Sequence, residues 1–316
     1  MPRSGEERGG GAGGSAESAA GARAWRALRP PKAALDPFSE PAWQLEEERQ
    51  PDGSRARSLT VFLIGRECPY TCVYCDLWQH TLDGDTPAGA LPRQLDLALA
   101  ASGASRRPPD LLKLYNASNF FDPRAVPPAD AAALLERARP FGKLVVESHA
   151  RLLGRRCLAA AESMEGRLQV AIGFECAHPG VLARIGKGLG VADLRKAAAF
   201  LAAAGIGLRA FVLAGPPFLP RQERPAWTRR TCELALELGA GQVVLIPLRS
   251  SPGELARLVE AGEVELPDLD EIEQTVELCA ALAPARILLD TWDLARLSGE
   301  RAALARLLRF AAGDTP

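Results

Sequence analysis

Three cysteines crowd into one short run, Glu67-Cys68-Pro69-Tyr70-Thr71-Cys72-Val73-Tyr74-Cys75, with the spacing C-x3-C-x2-C. Pro69 interferes with regular helix here, so the run reads as a loop wrapped around a ligand. Thiolates are soft ligands that suit zinc and iron–sulfur clusters. Structural zinc wants a closed tetrahedral shell, usually built from paired elements. Only His80 lies near as a fourth ligand, and no second pair follows. An iron–sulfur cubane can be held by three thiolates, with one iron left for an outside ligand. That open corner is a place for chemistry, whereas a fully ligated cluster mostly carries electrons. The residues therefore point to a [4Fe–4S] site at Cys68, Cys72 and Cys75, with a zinc site as the alternative.

The loop has to be carried by something rigid. It follows directly on the apolar run Leu59 to Ile64, which reads as a core strand. Six similar runs follow, at Leu111 to Asn116, Leu144 to Glu147, Leu168 to Phe174, Leu208 to Leu213, Gln242 to Ile246 and Arg286 to Leu289. Continuous apolar runs of this length suit strands buried on both faces. Amphipathic segments lie between them, at Pro92 to Ala101, Asp130 to Ala138, Arg151 to Met164, Val191 to Ala204, Arg224 to Leu238 and Leu269 to Leu282. Strand and helix in alternation imply right-handed crossovers and a parallel sheet. The fold class is α/β, a complete or partial TIM-type barrel, with a doubly wound open sheet as runner-up. In both, chemistry sits beyond the carboxyl ends of the strands.

Composition narrows the setting. Residues 1–22 are Gly, Ala, Ser, Arg and Glu without an apolar stretch, and read as a disordered tail, not an export signal. Residues 23–57 read as a short helix or extended wrap, 58–294 as the core, and 295–316 as a closing helix and tail. No apolar run is long enough to span a membrane. Lys plus Arg number 38 against 39 Asp plus Glu, which argues against broad electrostatic capture of nucleic acid. Seven cysteines is an odd number, so disulfides are not expected and a reducing, cytoplasmic setting is. The scattered Cys157, Cys176, Cys232 and Cys279 read as small core residues.

The cysteine run, with Tyr74 just before the third cysteine, resembles the signature of the radical S-adenosylmethionine superfamily. The resemblance implies a partial (β/α)6 barrel, a [4Fe–4S] cluster, and S-adenosylmethionine chelating the open iron. It also implies roles for residues at the other strand ends. Where the superfamily carries a Gly-Gly-Glu-like segment for the methionine amino group, this chain has Asn116-Ala117-Ser118. Ser and Asn side chains can accept hydrogen bonds from an ammonium group. The stretch Gly173-Phe174-Glu175 to Lys187 is similar to a pattern of the elongator, methylthiotransferase and coproporphyrinogen-dehydrogenase branches. By that match Glu175 bonds the ribose hydroxyls and Lys187 meets the cofactor carboxylate. Glu147-Ser148-His149 resembles a Glu-Ser/Thr-Arg segment, with His149 where Arg is usual.

Arg29-Pro30-Pro31-Lys32, Thr60-Val61-Phe62-Leu63 with Arg66-Glu67-Cys68, Tyr115 to Asp122 and Asp290 to Leu294 together resemble a narrower group, the radical enzyme of archaeosine tRNA modification and its bacterial relatives. The activity implied is reductive cleavage of S-adenosylmethionine to a 5′-deoxyadenosyl radical that takes hydrogen from a substrate. A modified tRNA nucleoside is the first candidate, and a flavodoxin- or ferredoxin-type protein is the implied electron donor. The alternative is a non-catalytic iron–sulfur or zinc-binding scaffold.

Overall fold

The structure is a computed structural model and describes residues 24–313; the tail expected over residues 1–22 lies outside them. Eight strands form one sheet: β1 (Ala42–Arg49), β2 (Arg55–Phe62), β3 (Leu111–Tyr115), β4 (Lys143–Glu147), β5 (Leu168–Glu175), β6 (Gly207–Ala214), β7 (Ala240–Pro247) and β8 (Ile287–Leu289). Helices follow as α1 (Ala90–Ala101), α2 (Pro128–Ala138), α3 (Arg155–Met164), α4 (Pro179–Arg184), α5 (Val191–Ala203), α6 (Arg224–Glu237), α7 (Glu254–Glu260), α8 (Leu269–Ala280) and α9 (Arg301–Ala311). The strands lie side by side in sequence order, and β2 through β8 are parallel. A doubly wound sheet would need a point where the order reverses. None occurs, and the sheet curls into a nearly closed TIM-type barrel.

All seven expected strands are present, but the barrel goes further round than the six-unit expectation. Residues 42–49, expected as helix or wrap, form β1, antiparallel to β2 with Ala42 opposite Phe62 and Arg49 opposite Arg55. A tight turn makes this hairpin possible. Gly53 takes φ 84°, and the Asp52 carboxylate accepts from the Ser54 amide at 2.9 Å. At its far end β1 reaches across the remaining gap. Arg49 donates to the Ile287 carbonyl at 3.0 Å, and Gln242 donates to the Arg49 carbonyl at 2.9 Å.

The main apolar core lies between the sheet and its helices, and it includes the four scattered cysteines, all buried. A smaller apolar group, Ala56, Leu111, Val145 and Ala171 with Tyr115 and Phe211 packed on it, lies apart from this core. Toward the amino ends of the strands the interior is ionic. Glu48 forms a two-pronged pair with Arg209 at 2.6 and 2.9 Å and meets Lys113 at 2.5 Å. Gln169 and Gln242 accept from the same guanidinium at 3.3 and 2.6 Å, so the charges are paired and hydrogen-bonded. No described helix is long and apolar enough to cross a membrane.

Candidate active site

The chain leaves β2 at Phe62 and enters the cysteine loop under tight control. Buried Gln94 of α1 clamps the exit, accepting from the Ile64 amide at 2.7 Å and donating to the Ile64 carbonyl at 2.9 Å. Further along, the Arg66 amide donates to Thr86 Oγ1 at 2.8 Å and the Val73 amide to the Ile185 carbonyl at 3.0 Å. From outside, the segment before β1 straps the loop. Arg26 donates to the carbonyls of Cys68 and Pro69 at 3.3 and 3.2 Å. Arg29 pairs with Glu67 at 2.8 Å and lies over Trp78, while Lys32 meets Asp83 at 3.0 Å. Gly186, at φ 75°, leaves room for this: a Cβ there would sit 2.5 Å from the Thr71 carbonyl and overlap the Trp25 ring.

The next strand end carries Asn116, which is fully buried. Both polar atoms of its carboxamide, and the Ser118 hydroxyl, are buried without a hydrogen-bond partner among the described residues. Each such group costs about 1–3 kcal/mol unless something takes it up. Its neighbour Ala117 sits in the left-handed region at φ 52°. The cause is Glu147 at the end of β4, whose carboxylate accepts from the Asn116 amide at 2.6 Å and draws in the amides of Ala117 and Ser118 as well. Burial pushes Glu147 up to about 7 in spite of these donors. Glu147 thus shapes the segment Asn116-Ala117-Ser118.

One strand further, β5 breaks register between Gly173 and Glu175, and Glu175 itself takes φ 58°. A non-glycine residue held there stores strain, of order 1–3 kcal/mol. The result is a buried ion pair, Lys187 Nζ to Glu175 Oε1 at 2.5 Å. Gly173 lies beneath it, and a Cβ on Gly173 would overlap both charged ends. Burial opposes the Lys187 charge, but the Glu175 carboxylate beside it outweighs burial and holds the ammonium form. Tyr74 is tucked beside Glu175 and Cys72, and burial and the Glu175 charge push its phenol up. Tyr74, Asn116, Ser118, Glu175 and Lys187 therefore stand on or beside the carboxyl ends of β2, β3 and β5, around the cysteine loop.

The three thiols fit a cluster by their chemistry. All are free, and burial pushes Cys72 up to about 12 and Cys75 further, so as bare groups they are neutral. Only a cationic ligand would draw thiolates out at neutral pH. Among the described residues no three His, Cys, Asp or Glu side chains are grouped as for a single metal ion. A cubane does not ask for such convergence, because its thiolates go to different irons. The unpartnered Asn116 and Ser118 atoms on the adjacent strand, beside a buried ammonium, fit the amino-acid end of S-adenosylmethionine.

Both ring nitrogens of His149 are held by backbone groups. Its Nδ1 accepts from the Arg151 amide at 3.2 Å, which leaves the proton on Nε2, 3.0 Å from the Lys187 carbonyl. Tyr70 stacks on the ring at 3.7 Å, and burial lowers its pKa to about 4, so it is neutral at pH 7. His80, the fourth zinc ligand offered by the sequence, is exposed. Trp292, beyond β8, is 56 % exposed and contacts Phe62 with ring centroids 6.0 Å apart. Sequence reasoning missed three positioning residues: Gln94, Glu147 as the shaper of residues 116–118, and Asn119. Only Asn119 had a signal, as the second polar residue of Asn-Ala-Ser-Asn.

The sequence matches no protein-family model and no curated protein. Among solved structures, methylornithine synthase superposes with a TM-score of 0.54 at 11% identity, over 80% of this chain and 69% of that one. A radical S-adenosylmethionine methyltransferase from Sphaerobacter thermophilus gives 0.52 at 15% identity, over 83% of this chain and 76% of the other. An Elp3 protein from the archaeon Methanocaldococcus infernus gives 0.49 at 13% identity over 62% of this chain, which spans about half its length (51%). At such identities the likeness is one of fold. In fold, the chain is similar to methylornithine synthase and to this methyltransferase.

Proposed function

We propose that the protein is a radical S-adenosylmethionine enzyme in which Cys68, Cys72 and Cys75 hold a [4Fe–4S] cluster. The observation that carries this reading is the set of unpartnered polar atoms on Asn116 and Ser118, at the strand end adjacent to a three-thiol loop. When bound, the cofactors supply one-electron reductive cleavage of the sulfonium, giving methionine and a 5′-deoxyadenosyl radical that takes a hydrogen atom from the substrate.

The chain's own residues bind and orient. Asn116 Oδ1 and Ser118 Oγ accept from the ammonium group of the methionine end, and Glu147 holds them in place from below. Lys187 pairs with the carboxylate, a charge-assisted bond in a site largely closed to water. Glu175 accepts from the ribose diol, with Tyr74 against it. A nucleoside in tRNA is the substrate class that the resemblance names first, with a small metabolite or a peptide next. A flavodoxin- or ferredoxin-type protein is the donor that fits a one-electron requirement.

The test is anaerobic reconstitution, then dithionite and S-adenosylmethionine. Formation of 5′-deoxyadenosine and methionine in equal amounts is the expected result. A cluster that never cleaves the cofactor would leave an iron–sulfur scaffold, and one zinc with no iron would leave a zinc scaffold. A substitution separates binding from folding. Gly173→Ala meets only the movable ends of Glu175 and Lys187. Displacing a buried pair also costs stability, so affinity is compared on protein whose melting temperature shows it folded at the assay temperature. Because the substitution evicts the pair, affinity for S-adenosylmethionine should fall about tenfold or more by calorimetric titration. Unchanged affinity would remove Glu175 and Lys187 from the cofactor site.

A further inference from the structure

The side chain of Asn119 is buried, 1 % exposed, in the turn after β3. Its orientation is fixed by its surroundings. Oδ1 accepts from the His149 amide at 2.6 Å, so the NH2 end must point the other way, and there it meets Cys68 Sγ at 3.4 Å. The anchor is firm, because the His149 ring is held by the Lys187 carbonyl and the Arg151 amide and is covered by Tyr70. The Phe120 amide adds a bond to the Glu147 carbonyl at 2.9 Å. A side chain with one donor and one acceptor end is thus stretched between β4 and a cluster-ligand sulfur.

We infer that Asn119 is a positioning residue for the cluster, donating a hydrogen bond to the Cys68 sulfur that fixes this ligand and raises the reduction potential. This rests on the reading of Cys68 as a cluster ligand. Its physical basis is charge. Reduction adds an electron to a cluster whose negative charge is shared with the thiolate sulfurs, and a donor on one of them stabilises the reduced form more than the oxidised form. Asparagine is suited to the task. Aspartate at this position would keep the acceptor for the His149 amide but lose the donor, and would add a charge of the wrong sign.

The experiment is a redox titration of the anaerobically reconstituted full chain, followed by EPR without S-adenosylmethionine. Asn119→Asp, with iron content and melting temperature equal to wild type, should be harder to reduce by at least about tenfold in the reduction equilibrium, or 59 mV for one electron. An unchanged potential in such a variant overturns the inference while leaving the cluster standing. A wild-type protein that assembles no cluster overturns the underlying reading and this inference together. Should the variant fail to fold, a protein that keeps Asn119 answers directly. Asn116 and Asn119 are the chain's two asparagines. With 15N in the asparagine side-chain amides, pulsed EPR of the reduced Asn116→Ser protein should show a nitrogen coupling from Asn119. No coupling overturns the assignment.

Discussion

Alanine at Cys72 is expected to abolish the cluster: iron falls from about four per reconstituted chain to a trace, absorption in the visible is lost, and no 5′-deoxyadenosine forms. The effect is large because each thiolate fixes one iron and the loop has no spare ligand. His80 is exposed, and the other four cysteines are buried in the core. The same holds for Cys68→Ala and Cys75→Ala. Folding should survive, since removing one partly exposed thiol falls among ordinary substitutions, about 1 kcal/mol. Cys157→Ala and Cys176→Ala are the controls. They open small core cavities and should lower the melting temperature, yet keep their iron. Iron retained in any of the three loop variants would contradict the ligand assignment.

Glu48→Ala is expected to destabilise the protein by about 3–5 kcal/mol, read from urea unfolding of the iron-free chain. Removing this carboxylate leaves Arg209, 1 % exposed, and Lys113, 4 % exposed, without their buried counter-charge. Replacing Glu48, Lys113 and Arg209 together by Leu, Met and Met should recover a large part of the loss, because no buried charge is then left alone. Burial alone would raise the Glu48 carboxyl, but Arg209 and Lys113 outweigh it and hold it well below the usual carboxylate range. Its share of stability is therefore in place above the unfolded value near 4.5, and is lost as pH falls toward the depressed folded one. Glu48→Ala should accordingly unfold in acid with a shallower dependence on pH than wild type. A loss under about 1 kcal/mol would mean that the pairing contributes no more than a surface salt bridge.

The parts of this molecule legible in its sequence are those set by short-range pattern. Strands β2 to β8 announce themselves as apolar runs, since both faces of a parallel barrel strand are covered. The cysteine spacing needs no tertiary information at all. What stayed hidden depends on distant partners. Strand β1 carries Glu46-Glu47-Glu48, a poor strand sequence by propensity. It forms because Glu48 finds Arg209, 161 residues away. The Glu175–Lys187 pair shows the opposite case. Both were legible as charged residues at a strand end and in the loop after it, but their contact depends on the break in β5 and on Gly173 beneath. Asn119 stood only as one residue of the stretch Tyr115 to Asp122, because nothing local says that its amide will meet a sulfur 51 residues back. His149 read only as a departure from a position where Arg is usual, and nothing local says that two backbone groups will hold its ring.

The most direct test of the central claim is the EPR spectrum of the dithionite-reduced, reconstituted protein recorded before and after S-adenosylmethionine is added. A cluster with three protein ligands and one free iron must respond: the g values should shift on addition, and the shift should be lost or need far more cofactor in Lys187→Met. A well-formed cluster whose spectrum is identical at saturating S-adenosylmethionine would contradict the account.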